Sequence, residues 1–438
     1  MWSLQFALSL QAEKESMRIN SLRYSVLIAL LVFAGGCISY AQDVASSVKS
    51  DSVLKAFLHE QGVEATEGNK VRLLESGREK FNDMFSEIRK ARHHVHLEYF
   101  NFRNDSIAGA LFDLLAQKAS EGVEVRALFD AFGNMSNNKP LRKKYLKVLR
   151  KKGIEIYEFD PIRFPWLNHV LMRDHRKIVV VDGKTGYTGG MNVADYYIHG
   201  TQKVGNWRDM HLRIEGPAVH SLQEIFLKTW NKVTKQKIGG QTYFPVMNTD
   251  SVPEDSAETV AIVDRCPNVT PDLLRHTLAE SINSANEKVQ IINPYFAPTH
   301  TIKEALKKAL KRGVTVEIMI PAVSDIPFTP EAALYQLHKL QKRGARVFLF
   351  QGGFHHSKIM MIDGVYSTVG SANLNSRSLR YDYEVNAFIF NKSTTNDLVS
   401  MFEKDKQNSV EMTSQTWKNR SLWKRFVGWF ANLFTPVL

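Results

Sequence analysis

HRKIVVVDGKTGYTGGMN (175–192) and HSKIMMIDGVYSTVGSAN (356–373) are one eighteen-residue pattern written twice. Each copy places Lys two residues after His and Asp five after Lys, with Gly and Asn following at matched distances. The positions are His175, Lys177, Asp182, Gly189 and Asn192, then His356, Lys358, Asp363, Gly370 and Asn373. In a strand, alternate side chains share a face, so His and Lys of H-x-K point toward a common ligand. The apolar run after Lys predicts a buried strand. Asp-Gly then predicts a turn, after which a second strand returns Asn to the neighbourhood of His. A lone H-x-K-x4-D arises by chance in such a chain with odds on the order of one in twenty. Two copies with matched Gly and Asn remove that explanation.

The repetition extends outward from the motifs. FNDMFSEIRKARHHVHLEYF (81–100) matches LRHTLAESINSANEKVQIINPYF (274–296), and LFDLLAQKASEGVEVRALFD (111–130) matches IKEALKKALKRGVTVEIMIP (302–321). A third pair is YLKVLRKKGIEIYEF (145–159) with LYQLHKLQKRGARVFLF (334–350). Each unit reads helix, Gly, strand, and Gly122 and Gly313 suit a left-handed position at the helix end. Helices alternating with short β-branched strands predict an α/β fold made twice. Two α/β/α domains, 42–245 and 258–410, are expected to pack about a pseudo-twofold axis with one active site between them. Residues 246–257, rich in Gly, Pro, Ser and Asp around them, read as the linker.

The repeated residues suit phosphodiester chemistry. A diester's negative charge repels nucleophiles, so Lys177, Lys358, Asn192 and Asn373 would surround the nonbridging oxygens. One neutral imidazole can attack phosphorus to form a phosphohistidine. The other, protonated, can donate to the leaving alkoxide and later accept a proton from the incoming alcohol or water. Aligning NWRDMHLRIEG (206–216) with RYDYEVNAFIF (380–390) pairs Asp209 with Glu384, carboxylates able to hold the far ring nitrogens of the histidines. Asp182 and Asp363 are counted with the catalytic set, although each reads equally well as a turn residue or a partner for buried donors. Where the second copy has Ser371, a further phosphate-binding candidate, the first has Gly190. His93, His94 and His96 read as polar residues at a strand start, not a metal site, and His355 faces away from His356.

The 438 residues carry a net charge of +12, favouring anionic partners, and the two cysteines exclude a disulfide framework. VLIALLVFAGGCI (26–38), preceded by Arg18 and Arg23 and followed by Ser39-Tyr40-Ala41, reads as an export signal or membrane anchor over residues 1–41. Cleavage after Ala41 is expected, with lipidation of Cys37 as the alternative. At the other end, WKNRSLWKRFVGWFANLFTPVL within 411–438 predicts an amphipathic tail. Trp423, Phe426, Val427, Phe430, Leu433 and Phe434 form its apolar stripe, beside Lys418, Arg420, Lys424 and Arg425. That pattern suits an anionic membrane interface or, alternatively, a helix closing a core.

From about residue 70 onward the sequence resembles the phospholipase D superfamily and, within it, the bacterial cardiolipin synthases. Besides the paired motifs, WRDMHLRIEGPAVHSLQEIF (207–226), INPYFAP (292–298) and IPAVSD (320–325) carry the likeness. The resemblance implies a phosphatidyltransferase with His175 as nucleophile and His356 as general acid and base. It would join two phosphatidylglycerols into cardiolipin and release glycerol, with no metal or other cofactor. An anionic phospholipid and a membrane surface are the expected partners, in the cell envelope on the exported side of the cytoplasmic membrane. Nucleic acid is not expected as a partner. A phospholipase D hydrolase is the nearest alternative and a nuclease a more distant one. The sequence sets no oligomeric state.

Overall fold

A computed structural model describes residues 49–162, 171–247, 257–326 and 329–433. The export segment, most of the linker and Phe434 lie outside them. The first half runs α1 (Ser50–Glu60), β1 (Ala65–Leu74), α2 (Gly77–Lys90), β2 (His94–Tyr99), α3 (Ser106–Ser120), β3 (Glu124–Asp130), α4 (Ala131–Ser136), α5 (Lys143–Lys151), β4 (Ile154–Phe159), β5 (Lys177–Val181), β6 (Thr185–Gly189), α6 (Tyr196–His199), β7 (Trp207–Arg208), β8 (His211–Glu215) and α7 (Ala218–Thr234). The second half continues with β9 (Glu258–Arg265), α8 (Leu273–Ser284), β10 (Lys288–Ile292), α9 (His300–Lys311), β11 (Thr315–Pro321), α10 (Thr329–Gln341), β12 (Arg346–Phe350), β13 (Phe354–His355), β14 (Ile359–Ile362), β15 (Tyr366–Gly370), α11 (Ser376–Arg380), β16 (Glu384–Phe390), α12 (Lys392–Gln407), β17 (Ser409–Glu411), α13 (Ser414–Lys418) and α14 (Leu422–Asn432).

Local chemistry sets the helix boundaries. Ser76 and Asp105 accept from backbone N–H groups three residues on and start α2 and α3; Thr299 does the same for α9. Gly122 and Gly313 both have φ of +90°, the backbone region predicted for them. The strands join in the order β17-β12-β11-β10-β14-β15-β16-β9-β1-β8-β6-β5-β2-β3-β4. Apart from β17 this order is a palindrome about the β9–β1 pair, so the pseudo-twofold axis passes there. Within each half three strands are parallel, connected through helices, and the motif strands run antiparallel to them.

The pleat divides the apolar residues between two surfaces. Val179 and Val181 pack with the helices of their own half, whereas Ile178 and Val180 join a central cluster that includes Val260, Ile292, Met361 and Val369 from the other half. One assignment from sequence is corrected. Residues 50–60, grouped with the first half, pack on the second: Leu54 and Leu58 are buried among Leu274, Leu278 and Ile282. The chain then crosses between halves along β1, whose start pairs with β9 and whose end pairs with β8.

His94 and His96 are fully buried, not merely polar residues at a strand start. His96 stacks on Phe226 at 4.4 Å and meets Gln223 and Arg126. At the C-terminus, Trp417 is buried and stacks on His338 at 4.2 Å. Gly428 brings α14 against α10 so closely that a Cβ there would lie 2.8 Å from the Glu331 carbonyl oxygen. The opposite side of α14 leaves Leu422, Trp423, Phe426, Trp429, Phe430 and Leu433 exposed. Leu422 and Trp429 thus join the expected stripe, and Val427 is half-buried. Among the described residues no helix is long and apolar enough to cross a membrane.

Candidate active site

His175 and His356 are brought to one cavity of about 560 Å³ between the halves, lined also by Asn192 and Asn373. Each histidine hangs on the other half. The His175 N–H donates to the Tyr383 carbonyl at 3.0 Å, and the His356 N–H to the Arg208 carbonyl at 2.7 Å. The next residue along in each case is the carboxylate that holds the ring. His175 Nδ1 lies 3.0 and 3.1 Å from the two oxygens of Glu384, and His356 Nδ1 lies 2.6 Å from Asp209 Oδ2. The carboxylates identified by aligning the repeats are therefore crossed, each serving the opposite repeat's imidazole.

Burial of its side chains sets the electrostatics of the site. Burial pushes the His175 imidazole down to about 4, against the pull of Glu384, so it is neutral near pH 7. Burial also lowers His356, reinforced by Lys358 and opposed by Asp209. Asp209 stays below the ordinary carboxylate range although burial opposes it, because His356 and Lys358 outweigh the desolvation. Lys177 is lowered to about 7 and Lys358 to about 8, chiefly by burial. Their amines fold back: Lys177 donates to the His175 carbonyl, and Lys358 to the His356 carbonyl. Neither lysine lines the cavity wall in this arrangement.

Two open readings are decided and one expected role is corrected. Asp182 and Asp363 lie at the far ends of their strands, about 16 Å along the chain from each lysine at 3.3 Å per residue. Asp182 accepts from the backbone N–H groups of Arg92, His93 and His94; Asp363 accepts from those of Asn286, Glu287 and Lys288. With φ of +54° at both, they are turn residues that tie the motif hairpin to the preceding helix–strand junction. Ser371 does not face the phosphate position: its hydroxyl donates to Glu384 Oε2. Gly190, its counterpart, leaves room, since a Cβ there would lie 2.1 Å from Asp209 Oδ1.

The sequence reading missed several residues of the site. Lys80, fully buried, donates to the Asn192 carbonyl at 3.2 Å and fixes that loop. Tyr295 and Trp207 flank the His356 ring, at 5.9 and 5.4 Å between centroids. Tyr295 stands in the matched INPYF segment and Trp207 beside Asp209, so their neighbourhood was signalled although their role was not. Arg377 and Asp382 also line the cavity, where the first repeat offers no equivalent pair. Among the described residues no group of three or more His, Cys, Asp or Glu is arranged to hold a metal ion.

Comparison with known proteins gives the family. Residues 84–230 and 278–406 match the family described as cardiolipin synthase, phospholipase D-like domain. The major cardiolipin synthase ClsA of Bacillus subtilis is 37% identical over 374 residues, covering 85% of this chain and 76% of that protein. A cardiolipin synthase of Oceanobacillus iheyensis is 36% identical over 385 residues, covering 87% and 78%. Among solved structures, a phosphatidylserine synthase from Haemophilus influenzae superposes with a TM-score of 0.61 at 16% identity, covering 84% of this chain and 95% of that one. At that identity the superposition shows the fold. The chain belongs to the cardiolipin synthase family of phospholipase D-like phosphatidyltransferases.

Proposed function

We propose that this enzyme joins two phosphatidylglycerols into cardiolipin and glycerol through a phosphohistidine at His175. The observation that carries the reading is the pair of crossed His–carboxylate contacts opening on one cavity. The neutral His175 ring, its Nδ1 engaged by Glu384, offers Nε2 to phosphorus. The P–O bond to the donor's glycerol breaks, and His356 gives its proton to the departing oxygen. The second phosphatidylglycerol then attacks the phosphohistidine with its glycerol hydroxyl. The proton returns to His356, the P–N bond breaks, and cardiolipin leaves. Lys177 and Lys358, turning from the carbonyls they now hold, would neutralise the nonbridging oxygens together with Asn192 and Asn373.

The exposed face of α14 fits docking to an anionic membrane. Trp423 is 70% exposed and Phe430 49%, and Lys424 and Arg425 accompany them. The decisive experiment is purified enzyme with phosphatidylglycerol vesicles and products resolved by mass. Cardiolipin with released glycerol is expected. Phosphatidic acid as the sole lipid product would instead make the enzyme a hydrolase, and DNA cleavage without lipid turnover would overturn both.

A further inference from the structure

A transferase that makes cardiolipin must hold two phosphates: one at the reacting phosphorus and one in the acceptor lipid, a glycerol away from its attacking hydroxyl. Both copies of the repeated motif are committed to the first. Apart from the two histidines, Arg377 is the one cationic side chain among the described residues lining the cavity.

Its surroundings hold it in place. Arg377 is the second residue of α11, whose start is fixed by the Asn375 side chain accepting from the Ser378 N–H at 2.9 Å. Nε donates to Asp382 Oδ2 at 3.1 Å, and the guanidinium lies 5.5 Å from the Phe132 ring centroid. Among the described residues Nη1 and Nη2 have no hydrogen-bond partner, and the side chain is 37% exposed. A guanidinium anchored through Nε, with both terminal nitrogens open, presents the fork that fits a phosphate. Asp382 is anchored in turn, its Oδ1 accepting from the Arg173 N–H at 3.2 Å. Burial raises Asp382 to about 7 despite Arg377, so near neutrality it opposes a second anion less than a full carboxylate would.

The placement suits an acceptor. Asp382 stands two residues before Glu384, which grips His175, and Arg377 lines the same cavity as His175 and His356. The subsite also occurs once: the position at the same distance after Asn192 is Tyr196, and the connection from Asn192 to Asp209 is six residues longer than that from Asn373 to Glu384.

We propose that Arg377, positioned by Asp382, binds the phosphate of the incoming phosphatidylglycerol and so selects an anionic lipid over water or a neutral alcohol. This rests on the phosphatidyltransferase reading above. The test is competition for the phosphoenzyme within one mixture of phosphatidylglycerol vesicles and ethanol. The ratio of cardiolipin to phosphatidylethanol reports acceptor choice alone, because both products arise from the same donor step and the same surviving enzyme. Arg377→Gln should lower the ratio about ten- to a hundredfold, the effect of losing one charge-assisted contact. Arg380→Gln, an exposed cation on the same helix and outside the cavity, should leave it unchanged. Arg377→Lys keeps the charge without the fork and should fall between wild type and the glutamine variant. A wild-type ratio in Arg377→Gln, an equal fall in Arg380→Gln, or a lysine ratio below that of glutamine would each overturn the assignment. Phosphatidylethanol without cardiolipin from the wild-type enzyme would instead remove the synthase reading itself.

Discussion

Glu384 grips Nδ1 of His175 with both carboxylate oxygens, at 3.0 and 3.1 Å, although the two residues lie in different repeats. Ser371 donates to the same carboxylate. The pair fixes the tautomer that exposes Nε2 and stabilises the ring as it becomes positive during attack. Glu384→Gln keeps the shape but removes that charge. Its kcat should fall about 10²- to 10⁴-fold with the melting temperature little changed. A loss below tenfold would mean that Glu384 is not the group orienting the nucleophile.

The pH profile follows from the ring and amine shifts. His175, lowered to about 4, attacks only when neutral, so kcat/KM should fall as pH drops through about 4. Lys177, lowered to about 7, is a cation only below that pH, and His356 must carry its proton to act as the acid. kcat/KM should therefore also fall as pH rises, beginning below the ordinary imidazole range as His356 loses its proton and continuing through about 7 as Lys177 loses its own. A bound phosphodiester favours both cations and should move the alkaline limb of kcat upward relative to that of kcat/KM. Identical alkaline limbs in the two profiles would contradict this electrostatic account.

Gly190 tests the asymmetry between the motifs. Any side chain there meets Asp209 Oδ1, and Asp209 is the carboxylate on His356. Gly190→Ser, which copies the second motif into the first, should cut activity about a hundredfold and destabilise the fold by about 1–3 kcal/mol through overpacking. Wild-type turnover in that variant would show that Asp209 can move without cost to catalysis.

Asp182 separates folding from chemistry. Removing a carboxylate that satisfies three backbone donors should lower unfolding stability in Asp182→Ala by about 2–3 kcal/mol. Turnover per folded molecule should hold. Denaturant titration alongside active-site labelling would measure both, and a collapse of kcat at unchanged stability would return Asp182 to the catalytic set.

Vesicle sedimentation addresses α14. Trp423→Ala with Phe430→Ala removes two exposed rings and leaves the Gly428 contact intact. Each ring inserted in a bilayer interface contributes about 1.5–3 kcal/mol, so binding to anionic vesicles should weaken tenfold or more. Unchanged sedimentation would assign these aromatics another purpose.

Much of this architecture was legible because duplication doubles every signal. The identical spacing of His175, Lys177 and Asn192 with His356, Lys358 and Asn373 implied a shared cavity, and alignment pointed to Asp209 and Glu384. Alignment compares a repeat with its twin and carries no record of which twin a side chain touches, so the crossing stayed hidden. The aspartates stayed ambiguous for a related reason: repetition marks structural needs as faithfully as chemical ones. Arg377 and Asp382 were silent because they stand where the repeats diverge. Helix α1 was misplaced because its apolar face, Leu54 and Leu58, fits any core, and only the path of β1 shows which core it reaches.

That crossing has a consequence for how the enzyme holds together. Each repeat lends a carboxylate to its twin's histidine, and the chain returns across the boundary through Leu54, Leu58 and β1. In design it is a symmetric dimer made continuous. Covalent linkage replaces a bimolecular encounter with an intramolecular one at high effective concentration. The competent site therefore persists however dilute the enzyme becomes, and a twofold pocket is freed to specialise, with tyrosine on one side and arginine on the other.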